Sequence, residues 1–250
     1  MIHLKNLSLD IHIHWLTIVY LIISILGHFF VEYLIAMGLV CLHEICHLMM
    51  AYYFQFDIDS IEILPFGAYL QLNDFYFHDI FEEICVVLAG PSVHFFIYIL
   101  IQFIPYDQLK QDILMYNSAI FFFNLIPIYP MDGHRLICLC LQRLIDLKSA
   151  FYFSLKISVF CLSVLSVFYF QIQTLVIIAY LFLQQFVLMK FIPQFLRQYM
   201  SQLTQKSVSS RIIVHHDFSY RRGFSNYYLY QHCLLHESQI IPLLLQEIKK

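Results

Sequence analysis

Long apolar runs alternate with short polar breaks along most of the chain. A bilayer crossing needs roughly 20 apolar residues, and such runs lie at about 13–30, 34–53, 81–104, 113–131, 151–170 and 172–191. The pattern predicts an all-α, polytopic membrane helix bundle of about six spans. Some breaks are very short: Val31 to Tyr33 before the second run, little more than Gln171 and Gln173 before the sixth. Links of that length join neighbouring helices. Two stretches depart from the pattern. Residues 55–78 mix acidic and apolar residues around Pro65 and Gly67, between β-branched and aromatic runs. They predict a small surface β-hairpin between spans 2 and 3. Residues 197–250 are polar and basic, with too little apolar content for a sizeable core. The division expected is a membrane-embedded domain over 1–196 and a short cytoplasmic tail over 197–250.

Composition agrees with a lipid solvent. Of 250 residues, 60% are hydrophobic and 12% charged, about half the charge of a soluble domain. A single water-soluble core of this length could not hide so much apolar surface. A net charge of -3 with few basic residues argues against nucleic acid as a direct ligand. The 7 cysteines are odd in number and contain no C-x-x-C, so neither a disulfide framework nor a thiolate metal site is expected. Basic residues favour the cytoplasmic side. Arg135, Arg143 and Lys148 share a side with Lys5 and the tail (Lys190, Arg197, Lys206, Lys249 and Lys250 among others), and the opposite side keeps Lys110. Both termini are therefore expected in the cytoplasm.

The second run reads LIAMGLVCLHEICHLMMAYY, with His43, Glu44 and His47 near its middle. At about 1.5 Å per residue they lie roughly 14 Å into the bilayer. Ionisable groups at that depth are costly and mark functional sites. In H-E-x-x-H the two imidazoles are one turn apart on one helix face, able to share one zinc ion, and Glu44 stands beside the metal as a base. With 13 His in 250 residues, chance would produce such a pattern about 0.02 times, so a coincidental core His pair is a poor account of it. Catalytic zinc takes three protein ligands and keeps one position open. The fourth run offers the third ligand in FFFNLIPIYPMDGHRL. Pro127 and Pro130 should end the helix near Leu125 while the chain is still at membrane depth. Irregular backbone there must be buried in protein or line a watery cavity. Asp132 then projects a carboxylate ligand into that cavity, and Asn124 can bond substrate or intermediate.

With these motifs in place, the chain resembles the site-2 protease family of intramembrane zinc metalloproteases, through HEICH at 43–47 and N-x-x-P-x-x-P-x-D-G at 124–133. Within it, the chain is most similar to the stage IV sporulation protein FB subgroup of spore-forming bacteria. ILPFGAYLQL at 63–72, EEICVVLAGPSVH at 82–94 and YNSAIFFFNLIPIYPMDG at 116–133 carry the likeness further. The resemblance implies one zinc per chain held by His43, His47 and Asp132, Glu44 as catalytic acid/base, and Asn124 near the substrate. It further implies a membrane-associated sigma-factor precursor as substrate, activated during sporulation, and membrane protein partners that hold the protease inhibited. Gly133 is followed by His134 where many relatives carry a second Gly. The tail is shorter than the nucleotide-sensing module that follows the spans in that subgroup.

Lesser residues complete the expectations. Gly90 and Pro91 allow close helix approach near the active site, and His94, one turn on, bonds between helices. Glu82 and Glu83 are taken as solvated charges at the start of the third span. The segment Glu62 to Leu72 can offer a strand edge to an extended substrate. Rival functions are weaker. An anti-sigma factor or peptide precursor is the alternative substrate. A non-hydrolytic zinc-containing membrane regulator would dispense with Glu44. A metal transporter would show paired halves with ionisable groups in both, which the fifth and sixth spans lack.

Overall fold

The computed structural model describes residues 10–64, 67–168, 172–203, 211–217, 219–230 and 233–240. Lys5, Pro65, Gln171, Lys206, Lys249 and Lys250, used above, lie outside them. The chain divides into two compact units, Met1–Leu125 and Ile126–Lys250.

The first unit opens with strand β1 (Asp10–Ile13) and helix α1 (Trp15–Leu26). The His14 side chain caps α1 by accepting from the Leu16 amide at 3.3 Å, satisfying one of the helix's orphan donors. Gly27 ends the helix, and His28 turns the chain with a φ of 62°. Helix α2 (Phe30–Tyr53) carries the HEICH motif. Strands β2 (Ile58–Leu64) and β3 (Gly67–Leu72) follow, then helices α3 (Ile80–Leu100) and α4 (Asp107–Leu125). The expected hairpin is present, with β2 antiparallel to β3 from Ile58 opposite Leu72 to Leu64 opposite Gly67. A third strand joins it: β1 runs parallel to β2, pairing Asp10 with Ser60 and Ile13 with Ile63. The sheet order β1-β2-β3 leaves β3 at an edge. Ala51, Phe56, Leu70 and Val86 form the buried cluster that seats the sheet against α2 and α3.

In the second unit, residues 126–131 are non-helical and lead into α5 (Asp132–Leu144), α6 (Leu147–Phe168) and α7 (Ile172–Leu203). Strands β4 (Ile212–His215), β5 (Ser225–Tyr230) and β6 (Cys233–His236) close it, with β4 parallel and β6 antiparallel to β5. The sequence expected no structure of this kind in the tail. Its interior is small: among the described residues Tyr228 and Ile240 form its buried apolar cluster, with Leu235 packed against it. Polar bonding supplements them. Asn226, fully buried, donates to the Arg221 and Phe224 carbonyls and to Glu237.

Four of the six expected spans are helices long and apolar enough to cross a membrane: Phe30–Tyr53, Ile80–Phe103, Leu147–Phe168 and Thr174–Gln202. The other two differ from expectation. Helix α1 has 12 residues, about 18 Å of rise against about 30 Å of hydrocarbon, because Gly27 and His28 break the apolar run. Helix α4 starts six residues earlier than expected and has Asp107, Lys110 and Asp112 in its first two turns. It ends at Leu125, as Pro127 requires. The stretch between the fourth and fifth expected spans is largely the amphipathic α5.

Burial in these helices differs from that of a water-soluble bundle. Ser24, Glu83, His94, Asn117, Ser154 and Ser158 are fully enclosed, whereas Ile18, Ile22, Phe96, Phe160 and Val176 are exposed. An apolar exterior, with polar groups enclosed among the apolar side chains of the interior, suits lipid, where every polar group must find its partner inside the protein. Glu83 accordingly corrects the expectation of a solvated charge.

Candidate metal centre

His43 and His47 project from the same face of α2, one turn apart, and both are buried. Their rings meet edge to face with centroids 4.7 Å apart, and the two Nε2 atoms stand 3.0 Å from each other. Glu44 joins them: one ligand atom from each of the three residues lies within 4.8 Å of the others. Two imidazole nitrogens on one tetrahedral zinc, each about 2.0 Å from it, are separated by about 3.3 Å, close to the spacing seen.

Helix α3 provides the space above this pair. A Cβ built on Gly90 would stand 2.6 Å from His43 Nε2 and 2.6 Å from His47 Cε1, and closer still to His47 Nε2. The missing side chain therefore opens a cradle directly over both donor nitrogens. The close approach expected at Gly90 is real, and what it brings close is the donor pair. The outer ring nitrogens are also engaged. His47 Nδ1 donates to the Val86 carbonyl at 2.7 Å. His43 Nδ1 lies 3.1 Å from His94 Nε2, and His94 Nδ1 lies 2.7 Å from Asn117 Oδ1 on α4. Metal-bound histidines usually have such a partner on the second nitrogen. Soft-borderline imidazoles, a nearby carboxylate and an open cradle fit zinc.

Asn124, in the last turn of α4, donates through Nδ2 to the Ile120 carbonyl at 3.1 Å. Asp132 belongs to the second unit, buried in the first turn of α5, where a carboxylate suits the positive end of the helix dipole. The irregular segment before it is tied down by two polar side chains from apolar helices. Ser158 Oγ accepts from the Tyr129 amide at 2.9 Å, and Gln185 Nε2 donates to the Tyr129 carbonyl at 2.7 Å. Ser158 in turn donates to Gln185 Oε1 at 2.6 Å. Sequence reasoning missed Asn117, Ser158 and Gln185. Each is a polar residue inside an apolar run, a signal that marks a buried partner without saying which.

Residues 31–111 match the model of peptidase family M50. The chain is similar to stage IV sporulation protein FB of Bacillus subtilis (strain 168), 30% identical over 168 residues that cover 63% of this chain and 57% of that protein. It is also similar to a zinc metalloprotease of Methanocaldococcus jannaschii, 27% identical over 169 residues, or 62% of this chain and 48% of that protein. The chain thus spans about half the length of the curated relatives it matches. The solved structure of a site-2 protease from Methanocaldococcus jannaschii aligns with a TM-score of 0.53 at 23% identity, covering 72% of this chain and 91% of that one. That likeness establishes a shared fold, the helical membrane bundle expected from the apolar runs.

Proposed function

We propose, from the match of residues 31–111 to peptidase family M50, that the chain is a zinc metalloendopeptidase cutting a peptide bond in or beside the membrane. The observation that carries this reading is the His43–Glu44–His47 group, its two imidazoles buried under the Gly90 cradle. His43 and His47 are assigned as zinc ligands, with Asp132 as the third. Zinc, when bound, supplies Lewis acidity that acidifies water and polarises a carbonyl. The rest falls to the chain's own residues. Glu44 takes a proton from the attacking water and delivers it to the amine nitrogen as the C–N bond breaks. Asn124 positions the carbonyl oxygen and supports the negative charge that develops on it.

A substrate must be extended to expose its peptide groups, and the open edge of β3 suits it as an added strand. A membrane-associated sigma-factor precursor, processed in sporulation, is the proposed substrate, supported by the motif resemblance and by the similarity to stage IV sporulation protein FB. Inhibitory membrane proteins are the proposed partners. The proposed setting is the bacterial cell membrane with both termini cytoplasmic, 1–196 forming the protease domain and 197–250 the tail.

Glu44→Gln tests the enzyme reading. It preserves size and hydrogen bonding but removes the basic carboxylate, and acid–base catalysis contributes typically 10²–10⁴-fold. Co-expressed with the precursor, Glu44→Gln should cleave at least about two orders of magnitude more slowly while zinc stays near one per chain. Cleavage at the wild-type rate would overturn the mechanism.

A further inference from the structure

His43 and His47 are oriented by different means. His47 leans on a backbone carbonyl, Val86 O, which fixes its tautomer: a carbonyl accepts only, so Nδ1 carries the proton and Nε2 presents its lone pair. No side-chain substitution removes that carbonyl. His43 instead faces another imidazole, whose Nε2 can donate or accept. The ambiguity is resolved one residue further out. Asn117 Nδ2 donates to the His94 carbonyl at 3.3 Å, which orients the amide and turns Oδ1 towards the His94 ring. Oδ1 accepts only, so His94 Nδ1 must donate to it. The neutral His94 then accepts at Nε2, His43 Nδ1 donates to it, and His43 Nε2 is left as the lone pair facing the cradle.

We propose that His94 and Asn117 are positioning residues that set the tautomer and ring orientation of His43, so that Nε2 is the nitrogen offered to the metal. Both are completely buried, where an unpaired imidazole or amide would be costly, so the relay holds one arrangement of protons. The proton order runs outward from the cradle: His43 Nδ1 to His94 Nε2, His94 Nδ1 to Asn117 Oδ1. With His94 replaced by an apolar residue, His43 Nδ1–H loses its acceptor, and either tautomer or a rotated ring becomes accessible. The inference rests on the proposed zinc site and deepens it.

The test uses full-length protein purified in detergent, with zinc affinity measured by competition against a chromogenic chelator. Cobalt substitution supplies a visible spectrum that reports ligand geometry. His94→Leu and Asn117→Leu should each weaken zinc binding by about 10–100-fold, the usual effect of losing a ligand's supporting partner, and shift the cobalt bands. His94→Gln, whose amide oxygen can accept from His43 Nδ1 while its NH₂ donates to Asn117 Oδ1, should recover most of the loss. His43→Ala is the reference and should abolish binding. Wild-type affinity and spectrum in both Leu variants, alongside loss in His43→Ala, would overturn the relay and leave the zinc site standing. Equal weakening in His94→Leu and His94→Gln would also overturn it, pointing to packing alone. Zinc retained in His43→Ala would bring down the zinc site and the relay together. If His94→Leu fails to accumulate, Asn117→Leu paired with Asn117→Asp, whose carboxylate keeps the acceptor, makes the same comparison.

Discussion

Gly90→Ala adds one methyl group at the place where the donor nitrogens converge. The new Cβ would lie 2.6 Å from His43 Nε2, whereas ordinary contacts begin near 3.4 Å. Relief demands a retreat of roughly 0.8 Å, the difference between the two, in an interior packed too tightly to absorb it. Neither ring can back away: His47 is bonded to Val86 O and His43 is backed by His94. Metal–ligand distances tolerate about 0.2 Å, so the displacement is several times what the site can accept. The helix itself should not suffer, because alanine is favoured over glycine in a helix interior by about 1 kcal/mol. Gly90→Ala should therefore lower zinc affinity at least about 100-fold, about 2.8 kcal/mol at 1.4 kcal/mol per decade, with helical content intact. Elemental analysis and chelator competition on detergent-purified protein measure the first, and circular dichroism the second. A Gly90→Ala protein holding one zinc per chain at wild-type affinity would refute the cradle.

Asp132→Ala should purify with substoichiometric zinc, measured in the same way; unchanged content would remove Asp132 from the ligand set. Single cysteines at positions 110 and 148, in a cysteine-free background, should react with an impermeant reagent from opposite sides of the membrane, and labelling from one side would refute the proposed orientation. Gln185→Leu removes the hydrogen bonds to the Tyr129 carbonyl and from the Ser158 hydroxyl, at about 1–3 kcal/mol for each buried bond lost. Its thermal unfolding in detergent should fall by several degrees, and an unchanged midpoint would show that the 126–131 segment does not depend on it.

The donor pair was legible because H-E-x-x-H encodes its own geometry: helical periodicity alone puts His43 and His47 on one face. The end of α4 at Leu125 was legible for a similar reason, since proline acts on its immediate neighbours. Features that depend on distant residues were harder to see. Asn117 stands 23 residues from His94, and nothing local announces that one orients the other. Glu83 looked like a surface charge beside Glu82, yet adjacent helical residues point about 100° apart, and one of them faces inward. Strand β1, just ahead of the first apolar run, went unread because its pairing with β2 spans some 50 residues. The helix α5 went unread because it lies between two apolar runs and is too short and too polar to register as a span.

The apolar exterior of the helices also bears on how this sequence can drift. On the lipid-facing surface, at Ile18, Phe96 or Val176, one apolar side chain serves nearly as well as another, because the neighbouring hydrocarbon is fluid and adapts to shape. Inside, at Asn117, Ser158 or Gln185, each group answers a particular donor or acceptor and has few substitutes. In a soluble protein the apolar letters hold the fold and the polar ones vary. Here the outward-facing apolar letters are the interchangeable ones, and a handful of polar letters scattered among them carry much of the specifying information.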